Sequence, residues 1–123
     1  MDFTYDDEQI ALRDAVRALV TKAYGDFEQR RRVVAAEPGH ELWRQLAEMG
    51  VLGLPFAEED GGMGAGPIEV GIVSSELGRV LAPEPFLGCV VLAGGAVAAA
   101  GDPDQRSEVL GALSTGERLL AWA

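Results

Sequence analysis

The chain has 123 residues, of which 48% are hydrophobic and 24% charged, a composition typical of one globular domain. Ten basic residues against twenty acidic ones give a formal charge of −10, which repels phosphate backbones and anionic lipids and so argues against nucleic acid as a partner. The single cysteine, Cys89, excludes an internal disulfide, and the acidic N-terminus is unlike a signal peptide, so we expect a cytoplasmic protein.

The first predicted element is an amphipathic helix over about residues 6–27. Its apolar residues recur at spacings of three and four, which places them on one face. Thr4 or Asp6 is suited to cap its start. The basic cluster at residues 29–32 comes near the end of this helix, where we expect it to complement the helix dipole rather than to bind a ligand. The residues predicted to face the core are Leu12, Val16, Leu19, Ala23 and Phe27.

Three shorter segments follow a break at residues 38–39. A short helix is predicted over residues 41–49. The apolar stretch 51–56 contains a glycine and a proline, so we expect a buried crossing segment with little regular structure. Residues 61–66 read Gly-Gly-Met-Gly-Ala-Gly, which predicts a tight turn.

A third helix is predicted from Pro67 to about residue 81, because proline is favoured at the first helical position. Its inner face would carry Val70, Val73, Leu77 and Val80. Small residues form a second stripe at spacings of four and three, and they predict that another backbone approaches this helix closely. These small residues are Gly71, Ser75 and Gly78.

Residues 86–101 carry no charge and predict a helix that is apolar on all sides. The run is too short and too rich in glycine and alanine for a membrane span, so we expect no span. Such a helix has to be covered on all sides, either at the centre of a bundle or by something outside this chain.

A last helix is predicted from a capping box at Asp102 to about Leu113, and residues 119–123 are typical of the beginning of a β-strand. A lone terminal strand has no ladder partner, which suggests that the sequence stops at a domain boundary of a longer protein. Together the elements predict an all-α fold, an antiparallel bundle of about five helices with the start of a β-strand at the C-terminus.

Three motifs in the sequence contain residue types used in phosphate, metal or nucleophilic sites, but none has the arrangement that such a site needs. The glycine-rich segment lacks the order of a dinucleotide-binding loop and stands beside three acids. Glu37 and His40 match a metal-binding spacing but lie at a Pro-Gly turn, so no metal site is expected. Cys89 has no basic neighbour in sequence and is expected to be a small apolar residue rather than a nucleophile.

Several segments occur together in a characteristic order: FTYDDEQ at 3–9 leading into LRDAVR at 12–17, LWRQLAEMGVLG at 42–53, EEDGGMG at 58–64, ELGR at 76–79 and LSTGE at 113–117. In order and spacing they resemble the N-terminal helical domain of the acyl-CoA dehydrogenase family. The resemblance implies that residues 1–117 form this domain and that residues 118–123 are the first residues of a truncated middle β domain.

The resemblance also implies an activity. Such enzymes are FAD-dependent oxidoreductases of lipid metabolism that remove the α-proton of an acyl-CoA with a glutamate while the β-hydride passes to the flavin. The electrons then leave to an electron-transfer flavoprotein. The base and most flavin contacts lie in later domains, so no catalytic residue is assigned in this chain.

Residues 81–86, Leu-Ala-Pro-Glu-Pro-Phe, are similar to an actinobacterial branch that handles bulky CoA esters, including steroid side chains, often as paired unlike subunits. We therefore expect a homo- or hetero-oligomer with other acyl-CoA dehydrogenase subunits. The alternative function is a non-catalytic subunit of the same kind, or a helical interaction module without flavin, that contributes only packing and partner surface.

Two kinds of site residue follow from the resemblance. The helix that begins at residue 86 is implied to help wall the acyl pocket, which makes Phe86, Cys89, Val90 and Ala93 candidates to face substrate. The alternative is that they are plain core residues, because a pocket wall and a core face need the same side chains. Trp122 falls where an aromatic residue often lies against the flavin.

Overall fold

The structure, a computed structural model, describes residues 2–36 and 41–123, and the regular secondary structure within these ranges is helical. This confirms the all-α prediction. Two short 3₁₀ turns, Val51–Gly53 and Glu58–Asp60, separate the third helix from the fourth. The helices are α1 (Asp7–Tyr24), α2 (Phe27–Ala35), α3 (Glu41–Glu48), α4 (Pro67–Arg79), α5 (residues 86–100) and α6 (residues 103–114).

The last two helices are composite. In α5 a π-helical part, Phe86–Gly94, continues into an α-helical part, Gly95–Ala100. In α6 a π-helical turn, Arg106–Leu110, lies between two short α-helical parts. The predicted capping box is present at the start of α6, where Asp102 Oδ1 accepts a hydrogen bond from the Gln105 N–H at 2.8 Å and the Gln105 side chain accepts one from the Asp102 N–H at 2.9 Å.

The first helix ends earlier than its periodicity predicts. α1 stops at Tyr24, and Asp26 then caps a separate helix, α2, by accepting hydrogen bonds from the N–H groups of Glu28 and Gln29. Phe27, predicted to face the core, therefore begins a new helix and is 66% exposed. The physical cause is the Asp26 carboxylate, which satisfies N–H groups that a continuous helix would have paired with backbone carbonyls.

The inner faces of α1, α3, α4, α5 and α6 enclose one hydrophobic core. Most residues predicted to face inward are buried or pack against it. The periodicity missed two buried residues of α1, Val20 and Tyr24, and two of α4, the apolar Ile72 and the charged Glu76. The largest fully buried side chains are Phe86, Leu46, Leu52, Leu110, Leu113, Val16, Val20, Val51, Val73, Val90 and Cys89.

A row of polar contacts joins α1 to α4. The row pairs Gln9 with Glu69, Arg17 with Glu76, and Thr21 with Arg79. Residue numbers rise together in both helices along this row, so α1 and α4 run in the same direction. The long connection through α2, α3 and the following loop makes this parallel arrangement possible.

Glu76 is the buried carboxylate at the centre of this row, with a side chain only 6% exposed. Arg17 donates hydrogen bonds to it from Nη2 at 2.7 Å and from Nε at 3.0 Å, and Arg79 donates from Nε at 3.0 Å. The hydrogen bonds from Arg17 hold the pKa of Glu76 below its usual range, with a further contribution from Arg79 and against the opposing effect of burial.

We expect Glu76→Gln to lower the free energy of unfolding at neutral pH by about 1–2 kcal/mol, because the three charge-assisted hydrogen bonds are weakened or lost while the half-exposed arginines regain water. The folded-state pKa is depressed, so the stabilising contribution of Glu76 is present above the usual glutamate pKa and is lost as pH falls through the folded-state pKa. The measurement is urea unfolding at neutral pH and at about pH 3, where the difference between wild type and variant should shrink.

Glu108→Gln is the matched control, because Glu108 pairs with Arg118 at 3.5 Å but is 74% exposed. This exchange should cost less than about 0.5 kcal/mol at either pH. Equal losses for the two variants would show that the buried pair contributes no more than a surface pair.

The chain forms a turn at Leu81 after α4. Among the described residues, Leu81 is the only non-glycine residue with a positive φ, +52°, and its side chain is 65% exposed. Its carbonyl oxygen accepts hydrogen bonds from both Nε and Nη2 of Arg30, at 3.0 and 2.9 Å. Because a leucine is strained in this conformation, the two bonds from α2 help to hold the turn that leads into α5.

The structure does not confirm the predicted β-strand at residues 119–123, which have no regular secondary structure. A strand needs a neighbouring strand to bond its backbone, and none lies among the described residues. The backbone N–H of Leu120 donates instead to Cys89 Sγ at 3.2 Å, so the C-terminal segment lies across α5. No helix in residues 2–36 or 41–123 is both long and apolar enough to cross a membrane.

Candidate functional site

The four residues predicted to face substrate share one face of α5, and this chain itself covers that face. Cys89 and Val90 are fully buried, Phe86 is 2% exposed and Ala93 is 6% exposed. The first three belong to the hydrophobic core. Within this chain they are therefore core residues, and their proposed contact with substrate depends on parts of the protein outside it.

The opposite face of α5 is apolar and open. Leu87 is 62% exposed and Leu92 is 52% exposed. A Cβ atom built at Gly88 or at Gly95 meets no atom within 4 Å. The composition of the segment predicted a helix that is apolar on all sides, but it did not indicate which side this chain leaves bare.

A close contact at Gly94 fixes which face of α5 points inward. A Cβ atom at this position would lie 2.5 Å from Cζ of Phe56 and 3.1 Å from Cδ2 of Leu113. Only a glycine allows the Phe56 ring to pack this close to the helix. The ring and the glycine together set the rotation of α5, so that Gly95 points away from the core.

An apolar cleft of about 370 Å³ lies between α5 and the beginning of α4. No charged side chain lines it, so its chemistry suits hydrocarbon rather than a polar group. Val90 is the predicted site residue that reaches this cleft. The other residues of its α5 wall are Val91, Gly95 and Ala98, and Pro67 and Val70 form the facing wall on α4.

The thiol of Cys89 is not placed for nucleophilic chemistry. Burial raises its pKa, against the weaker opposite effect of the Leu120 N–H that donates to its sulfur. A nucleophilic cysteine needs a lowered pKa and access to substrate, and this one has neither within the chain. Its contribution is packing, and it anchors the C-terminal segment against α5.

Trp122 lies two residues beyond Leu120 and is 69% exposed. Its indole ring is thus available for stacking on a planar group. The structure brings its segment to α5 through Leu120 but does not bring Trp122 into the core with the other predicted site residues.

The glycine-rich segment 61–66 is a closed turn. Every one of its backbone N–H groups is already bonded within the chain: those of residues 61–65 to backbone carbonyls and that of Gly66 to the Glu69 carboxylate at 3.0 Å. A phosphate cradle needs free N–H groups that converge on the anion. This turn offers none, and the buried Asp60 beside it forms an ion pair with Arg106 at 3.6 Å.

A hydrogen-bonded pair of a tyrosine and a glutamate holds the loop that precedes α5. The sequence did not indicate this pair. The Tyr24 hydroxyl at the end of α1 donates to Glu84 Oε1 at 2.5 Å. Burial of the ring, followed by this hydrogen bond, raises the pKa of Tyr24 above its usual range, so the hydroxyl keeps its proton. The pair ties the loop before Phe86 to α1.

Glu37 and His40, the two residues with a metal-binding spacing, both lie outside the residues that the structure describes. Within residues 2–36 and 41–123, no three histidine, cysteine, aspartate or glutamate side chains are grouped closely enough to hold a metal ion.

Comparisons with known proteins agree with one another. The family profile described as "Acyl-CoA dehydrogenase, N-terminal domain" matches residues 6–117. The chain is 39% identical over 104 residues to the acyl-CoA dehydrogenase IpdE2 of Mycobacterium tuberculosis, a match that covers 82% of this chain and 32% of that protein.

Two solved structures contain the same fold. A chain of the ChsE4-ChsE5 complex from Mycobacterium tuberculosis matches with a TM-score of 0.84 and 33% identity, covering 98% of this chain and 34% of that one. The structure described as "Tcur3481-Tcur3483 steroid ACAD G363A variant" matches with a TM-score of 0.82 and 31% identity, covering 94% of this chain and 32% of that one. The sequence thus spans about a third of the length of these relatives.

Proposed function

Since this chain belongs to the acyl-CoA dehydrogenase family and matches its N-terminal domain, we propose that it is the N-terminal helical domain of an FAD-dependent enzyme that dehydrogenates an acyl-CoA thioester between its α and β carbons. Residues 1–117 are this domain, and residues 118–123 lead into a middle β domain. The observation that carries the proposal is the match over residues 6–117 together with the bare apolar face of α5.

The proposed contribution of this chain is one wall of the acyl pocket. The open face of α5 and the adjoining cleft are apolar, so they exclude water from a hydrocarbon chain packed against them. Phe86, Cys89, Val90 and Ala93 remain the candidate substrate-facing residues. They lie on the inner face of α5, and Val90 is the one that borders the cleft, although its side chain is buried within this chain.

The cofactor that the family implies, FAD, finds few partners in this chain. The turn at residues 61–66 has no free N–H groups for its phosphates, and three carboxylates stand beside that turn. The exposed indole of Trp122 is suited to lie against the flavin ring. A bound flavin would supply the acceptor for the hydride that leaves the β carbon of the substrate. We propose that Trp122 is its contact in this chain and that its phosphates are held elsewhere.

The substrate and partners are inferred from the relatives. One related structure is described as a steroid acyl-CoA dehydrogenase and another as a complex of two named proteins. We propose a bulky, ring-bearing acyl-CoA as substrate, an oligomer with subunits of the same family, and an electron-transfer flavoprotein as electron acceptor. The buried free thiol of Cys89 is compatible with a reducing cytoplasm, where we place the protein.

The test is colour and turnover of the complete protein. We expect bound flavin that absorbs visible light and is bleached when acyl-CoA is added without oxygen. The alternative, a non-catalytic subunit, predicts a colourless protein that restores or stabilises the activity of a flavin-containing partner. A colourless protein that neither binds nor activates such a partner would contradict both functions.

The pocket-wall assignment has its own test, with two fully buried valines as a matched pair. Val90→Ala should change the ratio of kcat/KM between a bulky and a short acyl-CoA by about tenfold, because lost methyl groups in an apolar pocket alter discrimination by this order. Val16→Ala, on α1, should lower stability to a similar degree without changing that ratio. If neither variant changes the ratio, Val90 is a core residue only.

A further inference from the structure

The charges of this acidic chain are unevenly placed. Six of its ten basic residues form ion pairs with nearby carboxylates, and these are Arg13, Arg17, Arg44, Arg79, Arg106 and Arg118. The remaining four have no ion pair with any other described residue. They lie together at the end of α1 and on α2, and they are Lys22, Arg30, Arg31 and Arg32.

These four residues form what we term the basic surface. Two carboxylates, Asp26 and Glu28, lie in the same stretch, so residues 22–36 carry a net charge of +2 while the rest of the chain carries −12. The sequence suggested that the arginines complement the helix dipole. Only Arg32 lies in the last turn of α2, and Arg30 and Arg31 lie earlier, so the dipole does not account for the cluster.

α2 itself contributes nothing to the hydrophobic core, since none of its residues is buried. Besides the arginines it exposes apolar side chains, Phe27 at 66% and Val34 at 45%. Arg31, Arg32 and Val34 also line a shallow groove of about 450 Å³ along the helix. Exposed arginine and aromatic side chains are residue types that protein interfaces favour.

We propose that the basic surface is a docking site for the acidic face of a partner protein. Charge complementarity selects the occupant: carboxylates are attracted here and repelled by the rest of the chain. A protein with a small acidic patch would be attracted by this surface without being repelled by the acidic remainder of the chain, because salt at physiological concentration screens charges beyond about 8 Å. A flat anionic membrane would also bring its charge against the acidic remainder of the chain.

The test compares two double variants of equal net charge. Arg31→Glu with Arg32→Glu reverses the basic surface, and Arg44→Glu with Arg118→Glu reverses two arginines elsewhere; each exchange takes the chain from −10 to −14. The probe is a fluorescein-labelled decaglutamate peptide, and binding is followed by fluorescence anisotropy. Circular dichroism checks the fold, which α2 variants should leave intact because the helix buries no side chain.

We expect the wild-type chain to bind the peptide more tightly at about 20 mM than at about 200 mM NaCl. The basic-surface variant should bind about tenfold more weakly, and the control variant within about twofold of wild type. Amide chemical-shift changes should fall within residues 22–35.

Three outcomes would overturn the docking site. The first is equal weakening in both variants, which would reflect net charge alone. The second is no peptide binding by the wild-type chain at low salt. The third is binding to phosphatidylserine-containing vesicles that is at least as tight as binding to the peptide and is lost in the basic-surface variant, which would identify a membrane as the occupant.

Discussion

Replacing Gly62 with alanine is expected to lower the free energy of unfolding by about 3 kcal/mol or more, enough to threaten folding of the whole chain. The new Cβ atom would lie 2.1 Å from the Phe56 carbonyl oxygen and 2.7 Å from that of Gly53. Both contacts are with backbone, so no side-chain rotation relieves them. Moving either carbonyl would break the hydrogen bonds it accepts from Gly64 and Met63.

Gly64→Ala in the same turn separates steric overlap from backbone strain. Gly64 has a φ of +64°, but a Cβ atom there meets nothing within 4 Å. Only the cost of the left-handed conformation applies, about 1 kcal/mol. Urea unfolding followed by circular dichroism measures both variants. If Gly62→Ala costs no more than Gly64→Ala, the turn is not packed as closely as described.

Adjacent glycines of α5 should respond to alanine in opposite directions. Gly94→Ala is expected to lower the free energy of unfolding by about 2 kcal/mol, because the added methyl group overlaps the Phe56 ring. Gly95→Ala is expected to raise it by about 0.5–1 kcal/mol, because alanine is the better helix former and the site is open. The difference between the two changes in free energy tests whether α5 is rotated so that Gly94 faces the core and Gly95 faces away from it.

Each glycine is the control for the other, since they share a helix and a neighbouring position in sequence. Thermal unfolding of the two variants and the wild type is sufficient. Stabilisation by both substitutions would mean that Phe56 does not pack against α5, which would remove the support for the assigned rotation of the helix. Destabilisation by both would mean that the outer face is covered within this chain, which would remove the support for an open apolar face.

Much of the fold follows from local signals that the sequence states clearly. The capping box at Asp102 and the proline at position 67 mark the starts of α6 and α4, and the periodic apolar residues of α4 mark its buried face. These features depend on residues close together in sequence, whose chemistry acts whatever the rest of the chain does.

The features that were missed depend on partners distant in sequence. The burial of Glu76 requires Arg17, which is 59 positions away, and the choice of inner face in α5 requires Phe56. A uniformly apolar segment has no polar face to indicate its orientation, so the sequence could not tell the covered side of α5 from the bare one. The early end of α1 is different, because it has a local signal: Asp26 caps the start of α2, and the apolar periodicity takes no account of that residue.

The candidate site was predicted less completely than the fold. The family resemblance pointed to α5, which has an open apolar face in this chain, but the four residues selected on it lie on its inner face. The π-helical geometry of Phe86–Gly94 could not be predicted from ordinary α-helical periodicity either. A π-helix is wider than an α-helix, so it distributes its side chains differently around the axis.

The turn at Leu81 makes two distant positions dependent on each other. A leucine there needs the bonds from Arg30, whereas a glycine would adopt the same conformation without them. Substitutions at positions 30 and 81 should therefore not be additive in their effects. Among descendants of this sequence, we therefore expect the turn to tolerate loss of the arginine at 30 only after 81 has changed to glycine, so the order in which the two substitutions arise matters.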